Sequence, residues 1–127
     1  MIIIAPLRII RPRAKDWLIN LNTFRNSHYM TLNGVKIKYK ALVQDQVDLL
    51  PEMDRCRLEL TLFPKTKRRM DLTNMLSIQD KFICDAIVEA GKLPDDDYHH
   101  IVSTTYLFGE VDKENPRAEI HIQELKT

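Results

Sequence analysis

Apolar and polar positions repeat along this chain with two different periods. From Arg55 to Phe63 the period is two: Cys56, Leu58, Leu60 and Leu62 alternate with Arg57, Glu59 and Thr61. That pattern predicts a half-buried strand, which Pro64 ends. From Leu72 to Ala90 the spacing is three and four: Leu72, Met75, Leu76, Phe82, Ile83, Ala86, Ile87 and Ala90 form one stripe, broken only by Gln79. This predicts a helix with one buried face. Asp71 suits its N-cap and Gly91 the left-handed residue after its last turn.

Weaker patterns fill the remainder. Ile2 to Ile10 is rich in β-branched residues and reads as a strand, with Pro6 favouring an edge position or a bulge. Residues 13–21 fit either a helical face or a short strand at Trp17 to Ile19. Asn22 to Tyr29 reads as a polar, aromatic and basic loop. A second helix is predicted from Thr31 or Asn33 to Val47, with Val35, Tyr39, Leu42 and Val43 on one face. Ile101 to Phe108 and Arg117 to Leu125 are strand-like, and the turn residues between them predict an antiparallel hairpin. The expected fold is α+β: a small mixed sheet with two helices packed on it, in the order β-α-β-α-β-β. No repeat or linker divides residues 1–127, which fit one domain.

Composition changes this picture little, but charge placement changes it a good deal. With 44% hydrophobic and 29% charged residues the chain can build a core and does not resemble a disordered one. The formal net charge is only +1, yet the positive charge clusters at Arg8 to Lys15, Lys36 to Lys40 and Lys65 to Arg69. The acid gathers at residues 95–97 and 110–114. Cys56 and Cys84 have no zinc-site spacing and read as buried free thiols in a reducing compartment. No apolar run approaches a membrane span or a secretory leader, so a cytoplasmic protein without a membrane partner is expected.

The chemistry-bearing residues lie between Lys65 and Asp97. The basic run Lys65, Lys67, Arg68, Arg69 directly precedes Asp71, and such clusters bind phosphate by charge. Asp71 and the group Asp95, Asp96, Asp97 flank the helix. Magnesium takes oxygen ligands, commonly one or two carboxylates with water and substrate phosphate, so Asp71 and Asp96 are candidate ligands. The plain reading is a cap and a solvated turn. A straight helix of about 19 residues would hold its ends ~28 Å apart. A single site therefore needs the chain to double back, a shorter or broken helix, or a second subunit. Lys81 is a candidate for stabilising charge at a scissile phosphate, or a surface lysine beside Asp80 and Asp85. His99 and His100 are adjacent and read mainly as surface. Upstream, Arg25, Asn26, His28 and Tyr29 are the residue types that touch phosphate and sugar, or belong to an ordinary loop.

Three pieces in order, Arg68-Arg-Met-Asp-Leu-Thr-Asn74, Phe82-Ile-Cys-Asp-Ala-Ile-Val-Glu-Ala-Gly91 and Asp95-Asp96, resemble the RusA family of Holliday junction resolvases. The match covers about the central third of the chain. The resemblance implies a homodimeric, magnesium-dependent endonuclease, often encoded by phage or prophage. Such enzymes cut branched double-stranded DNA at four-way junctions by paired nicks, in recombination and repair. It implies catalytic roles for Asp71, Asp96 and Lys81 and metal contacts from Asp71, Asp95 and Asp96; from their own chemistry the basic run, Arg25, Asn26 and His28 are expected to contact the DNA. Two departures stand out. Thr73 occupies a position that is acidic in the family. The segment from Asn74 to Asp85 is also longer by about four residues, close to one helical turn. Asp80 or Asp85 is therefore expected to substitute as a metal ligand. The alternative is a catalytically weakened protein that binds junctions without cutting them.

Overall fold

The computed structural model describes residues 1–126. Its elements are β1 (Ile2–Ala5), β2 (Arg8–Ile9), β3 (Trp17–Leu18), α1 (Leu21–Arg25), α2 (Tyr29–Asp48), β4 (Cys56–Phe63), α3 (Leu72–Glu89), β5 (Ile101–Phe108) and β6 (Arg117–Glu124). The α+β class holds, with three helices and a mixed four-stranded sheet ordered β1-β6-β4-β5. Among the described residues no helix is long and apolar enough to cross a membrane.

β4 is the strand the sheet is built on. It pairs antiparallel with β6 and parallel with β5, with Leu58 opposite both Ile122 and Thr104. Parallel neighbours need a crossover, and α3 supplies it. Leu58, Leu60 and Leu62 are buried with Ala118, Ile120 and Ile122, whereas Arg57 and Glu59 are exposed. The alternation read from the sequence therefore marks a sheet covered on one face.

The expected β5–β6 hairpin does not form: β4 lies between the two strands. The connecting residues are numerous enough to step over the end of β4. They are pinned there by the Gly109 and Asp112 N–H groups, which donate to the Leu62 and Pro64 carbonyls at 2.8 Å each. Gly109 is required at this crossing, since a Cβ there would stand 2.7 Å from the Phe63 ring.

The first strand is also shorter than expected. Pro6 splits it: β1 is an edge strand beside β6, while β2 pairs with β3 in a separate ribbon. The ambiguous stretch at Trp17 is thus a strand. Residues 22–25, expected as part of a loop, instead belong with Leu21 to a helical turn capped by Asn20, whose side chain accepts from the Thr23 N–H. In α2 the buried face is Val35, Tyr39, Val43 and Val47, and Leu42, assigned to that face from its spacing, is 58% exposed.

α3 follows its pattern closely. Asp71 caps it, and Gly91 takes φ +75 beyond its end. Phe82 meets Trp17, Phe24 and Tyr39 at ring separations of 6.1, 6.4 and 5.4 Å. Gln79, the break in the stripe, is fully buried. It accepts from the Tyr39 hydroxyl at 2.8 Å and donates to the Pro6 carbonyl at 2.6 Å. One polar residue thereby ties α3 to α2 and to the β1–β2 corner, and both of its polar atoms are satisfied.

Candidate nucleic-acid interface

Pro64 releases the chain from β4, and Lys65 to Arg69 then run to the start of α3 with their side chains exposed. Lys67, Arg68 and Arg69 line a shallow depression with Met70, Asp71 and Phe108. Among the described residues, none of Lys65, Lys67, Arg68 and Arg69 has an ion-pair partner. The juxtaposition expected from sequence, a basic run around Asp71, is therefore present. Asp71 Oδ1 accepts from the Thr73 N–H at 2.8 Å, and Oδ2 takes no partner among the described residues.

Thr73 thus contributes its backbone to the cap where the resembled family has an acid. Asn74, to which no role was given from sequence, links two parts of this surface. Its Oδ1 accepts from the Asn22 N–H at 2.9 Å, fixing α1 against the first turn of α3. The signal for Asn74 lay in its motif position; its partner, 52 residues away, left none.

On the α1 side a second concavity is lined in part by Arg11, Asp16, Asn22, Asn26 and His28. Arg25 is exposed at the end of α1. Asn26 caps that helix, its amide donating to the Asn22 carbonyl at 3.0 Å. His28 caps α2 by accepting from the Met30 N–H through Nδ1 at 3.2 Å, and its ring lies 4.5 Å from that of Tyr29. Asn26 and His28 therefore hold the backbone, with exposed edges left over, and Arg25 has no ion-pair partner among the described residues.

The expected metal carboxylates separate. Asp80 lies nine residues into the helix from Asp71, about 13 Å along the axis. Both its oxygens are taken: the Tyr106 hydroxyl donates at 2.7 Å and the Cys84 thiol at 3.3 Å. Burial and the Asp80 carboxylate push the Tyr106 and Cys84 protons toward retention. Asp85 pairs with Lys36 of α2 at 2.8 Å, which raises the Lys36 pKa. Asp85 is thus engaged by α2, and among the described residues no ion pair joins it to Lys81. Lys81 is exposed, with no ion-pair partner among the described residues.

Past Gly91 the chain turns back toward α3. Asp95 Oδ1 accepts from the Asp96 N–H at 2.7 Å. The Asp96 pKa is pushed up by partial desolvation, then by Asp95, with a smaller repulsion from Asp85. Asp96 also acts on Cys84. The turn therefore lies beside the second half of α3, while Asp71 stays at the far end of an unbroken helix. His100 is structural: Nδ1 is 2.7 Å from the Asp54 carbonyl, an acceptor, so that nitrogen carries the proton.

Among the described residues no three His, Cys, Asp or Glu side chains converge as a metal site. A centre built on Asp71, Asp80, Asp95 and Asp96 together does not fit one chain. Asp71 keeps one carboxylate oxygen without a partner among the described residues, beside the basic rim.

No protein-family model matches this chain, and no curated protein matches it either.

Proposed function

We propose that this protein is a magnesium-dependent endodeoxyribonuclease that engages four-way DNA junctions as a homodimer. The observation that carries the reading is the unneutralised rim of Lys67, Arg68 and Arg69 around Asp71. Cations kept exposed and unpaired beside a free carboxylate oxygen suit a phosphodiester with a divalent ion better than they suit a purely structural role. The resemblance of the Arg68 to Asn74 stretch to the RusA family supports the same substrate class.

In this reading the chain does three things. The basic rim positions phosphate backbone. The α1 surface, held to α3 through Asn22 and Asn74, extends the contact with Arg25. Asp71 offers one oxygen to magnesium, the other being engaged in the cap. Magnesium held there would activate water and steady the leaving oxygen.

A second reading is favoured by one specific observation. Asp71, Asp80, Asp95 and Asp96 do not converge, and Thr73 supplies no carboxylate. A protein that binds junctions without cutting them has no need of a converged acidic set. Incubating the protein with a labelled four-way junction and a matching linear duplex, in magnesium and in EDTA, separates the two. Magnesium-dependent symmetric nicks in the junction alone establish the nuclease. Tight junction binding with no product in magnesium establishes the binder. Absence of binding to either DNA at low salt overturns both.

A further inference from the structure

A second basic cluster lies outside the surface described so far. β2 and β3 form a two-stranded ribbon, with Arg8 opposite Leu18 and Ile9 opposite Trp17, and residues 10–16 turn between them. Residues 8–16 carry Arg8, Arg11, Arg13 and Lys15 against one carboxylate, Asp16. Arg8 takes that carboxylate at 3.5 Å. Arg11, Arg13 and Lys15 have no ion-pair partner among the described residues. Like charges this close in sequence repel one another unless an anion lies between them.

The ribbon is anchored at its base. Ile9, Trp17 and Ile19 are buried. The Trp17 ring stacks on Phe82, and its Nε1 donates to the Ser27 hydroxyl at 2.9 Å. The Ile19 N–H donates to the Leu7 carbonyl at 3.0 Å. The turn is closed as well: Arg11 Nε donates to the Lys15 carbonyl at 2.8 Å, and Pro12 fixes one backbone angle. Arg13, Ala14 and Lys15 are exposed on this turn. Their charges stand on a built support, so little ordering is needed for them to bind.

The ribbon also borders the surface assigned to DNA. Arg11 and Asp16 share one concavity with Asn22, Asn26 and His28. Asn22 is the residue whose N–H the Asn74 side chain holds against the first turn of α3. The ribbon therefore adjoins α1, and α1 adjoins the mouth of α3 with its basic rim. We propose that the β2–β3 turn is a second phosphate-binding limb, which grips the backbone of one duplex arm through Arg13 and Lys15 while the rim holds the DNA nearer Asp71. The inference rests on the proposed DNA-binding function and adds to it where an arm lies. Duplex DNA suits this limb better than a small anion, because Arg13 and Lys15 stand on an exposed turn and line no enclosed cavity. A two-stranded ribbon is also an element that the major groove admits. Contact through these two side chains reads charge and not sequence.

Affinity for a labelled four-way junction and for linear duplex, measured across a salt series, tests the limb with the double variant Arg13→Ala, Lys15→Ala. Both side chains are exposed, so the variant should fold, which circular dichroism checks. Its slope of log affinity against log salt should flatten by about 2, and its affinity should fall roughly tenfold at moderate salt, on both DNAs. Crosslinking reads the location separately. A photo-crosslinker on Ala14→Cys should attach to a duplex arm. The same probe on Leu49→Cys, an exposed position about 30 Å from His28 along α2, should not. Cys56 and Cys84 are buried, so each probe goes to its own position. An unchanged slope in the double variant, or no crosslink from position 14, overturns the limb. The proposed function survives that result if removing Lys67, Arg68 and Arg69 still weakens binding. A wild-type protein that binds neither DNA overturns the proposed function and the limb together.

Discussion

The two ends of α3 treat charge in opposite ways. At its C-terminal half, every nearby lysine of α2 that reaches the helix is neutralised: Lys36 by Asp85 and Lys40 by Glu89. At its N-terminal end, Lys65, Lys67, Arg68 and Arg69 crowd into five positions with no ion-pair partner among the described residues. Clustered like charges repel, and the repulsion is relieved only by salt or a polyanion. The seam therefore serves the architecture, and the open end is the surface proposed to bind DNA. The comparison shows why counting charges misled little here but placing them mattered: the net charge of +1 hides a free basic rim balanced by carboxylates elsewhere.

The comparison can be broken at several points. The largest effect belongs to Asp71→Asn. Asparagine caps a helix as well as aspartate, so stability should hold within a few tenths of a kcal/mol, while junction cleavage should fall about 10²-fold or more with the loss of a metal oxygen. Asp85→Asn, at the neutralised seam, should leave cleavage within about twofold. Single-turnover rates with thermal melts check both, and equal losses from the two variants would erase the distinction between the ends.

Gln79→Leu comes next and probes the buried middle of the helix. It strands the Tyr39 hydroxyl and the Pro6 carbonyl, a cost of about 2–3 kcal/mol in urea unfolding. Junction affinity should change little once the protein is folded. A variant as stable as wild type would mean that the tie is dispensable.

Lys36→Ala tests the seam itself. Its pair is partly exposed, at 42% and 28%, so solvent screening limits the loss to about 0.5 kcal/mol, smaller still in high salt. No change in salt slope of DNA binding should accompany it. A large affinity loss would make the seam part of the interface.

The smallest effect is the pH dependence of Asp96→Asn. The folded-state pKa of Asp96 is raised, so the native state holds its proton more tightly than the unfolded chain does. Ionised Asp96 therefore costs stability at neutral pH, and that cost fades as pH falls through its folded pKa toward the ordinary value of about 3.9. Asp96→Asn should melt slightly higher than wild type at pH 7, with the gap closing in acid. A gap that widens in acid would show the opposite sign.

Much of this was legible in the sequence because it is local. The period of β4, the stripe and cap of α3 and the left-handed Gly91 are each set by residues a few positions apart. The basic run beside Asp71 is contiguous, so the core of the candidate surface was visible too. The failures are non-local or short. The β5–β6 hairpin looked natural from adjacency, but no periodicity reveals that β4, some 40 residues upstream, inserts between them. α1 has only Leu21 and Phe24 at helical spacing, too little to mark five residues as a turn. Asp80 and Asp85 appeared available as ligands because Tyr106 and Lys36, the groups that occupy them, lie on other elements.

The most direct test of the open end is the salt dependence of junction affinity for wild-type protein and for the triple variant Lys67→Ala, Arg68→Ala, Arg69→Ala. Each phosphate contact adds roughly 0.9 to the slope of log affinity against log salt. Three lost contacts should flatten the slope by about 2–3 and weaken binding about 10²-fold at moderate salt. An unchanged slope would contradict the account, because the free cations at the mouth of α3 would then not be where the DNA sits.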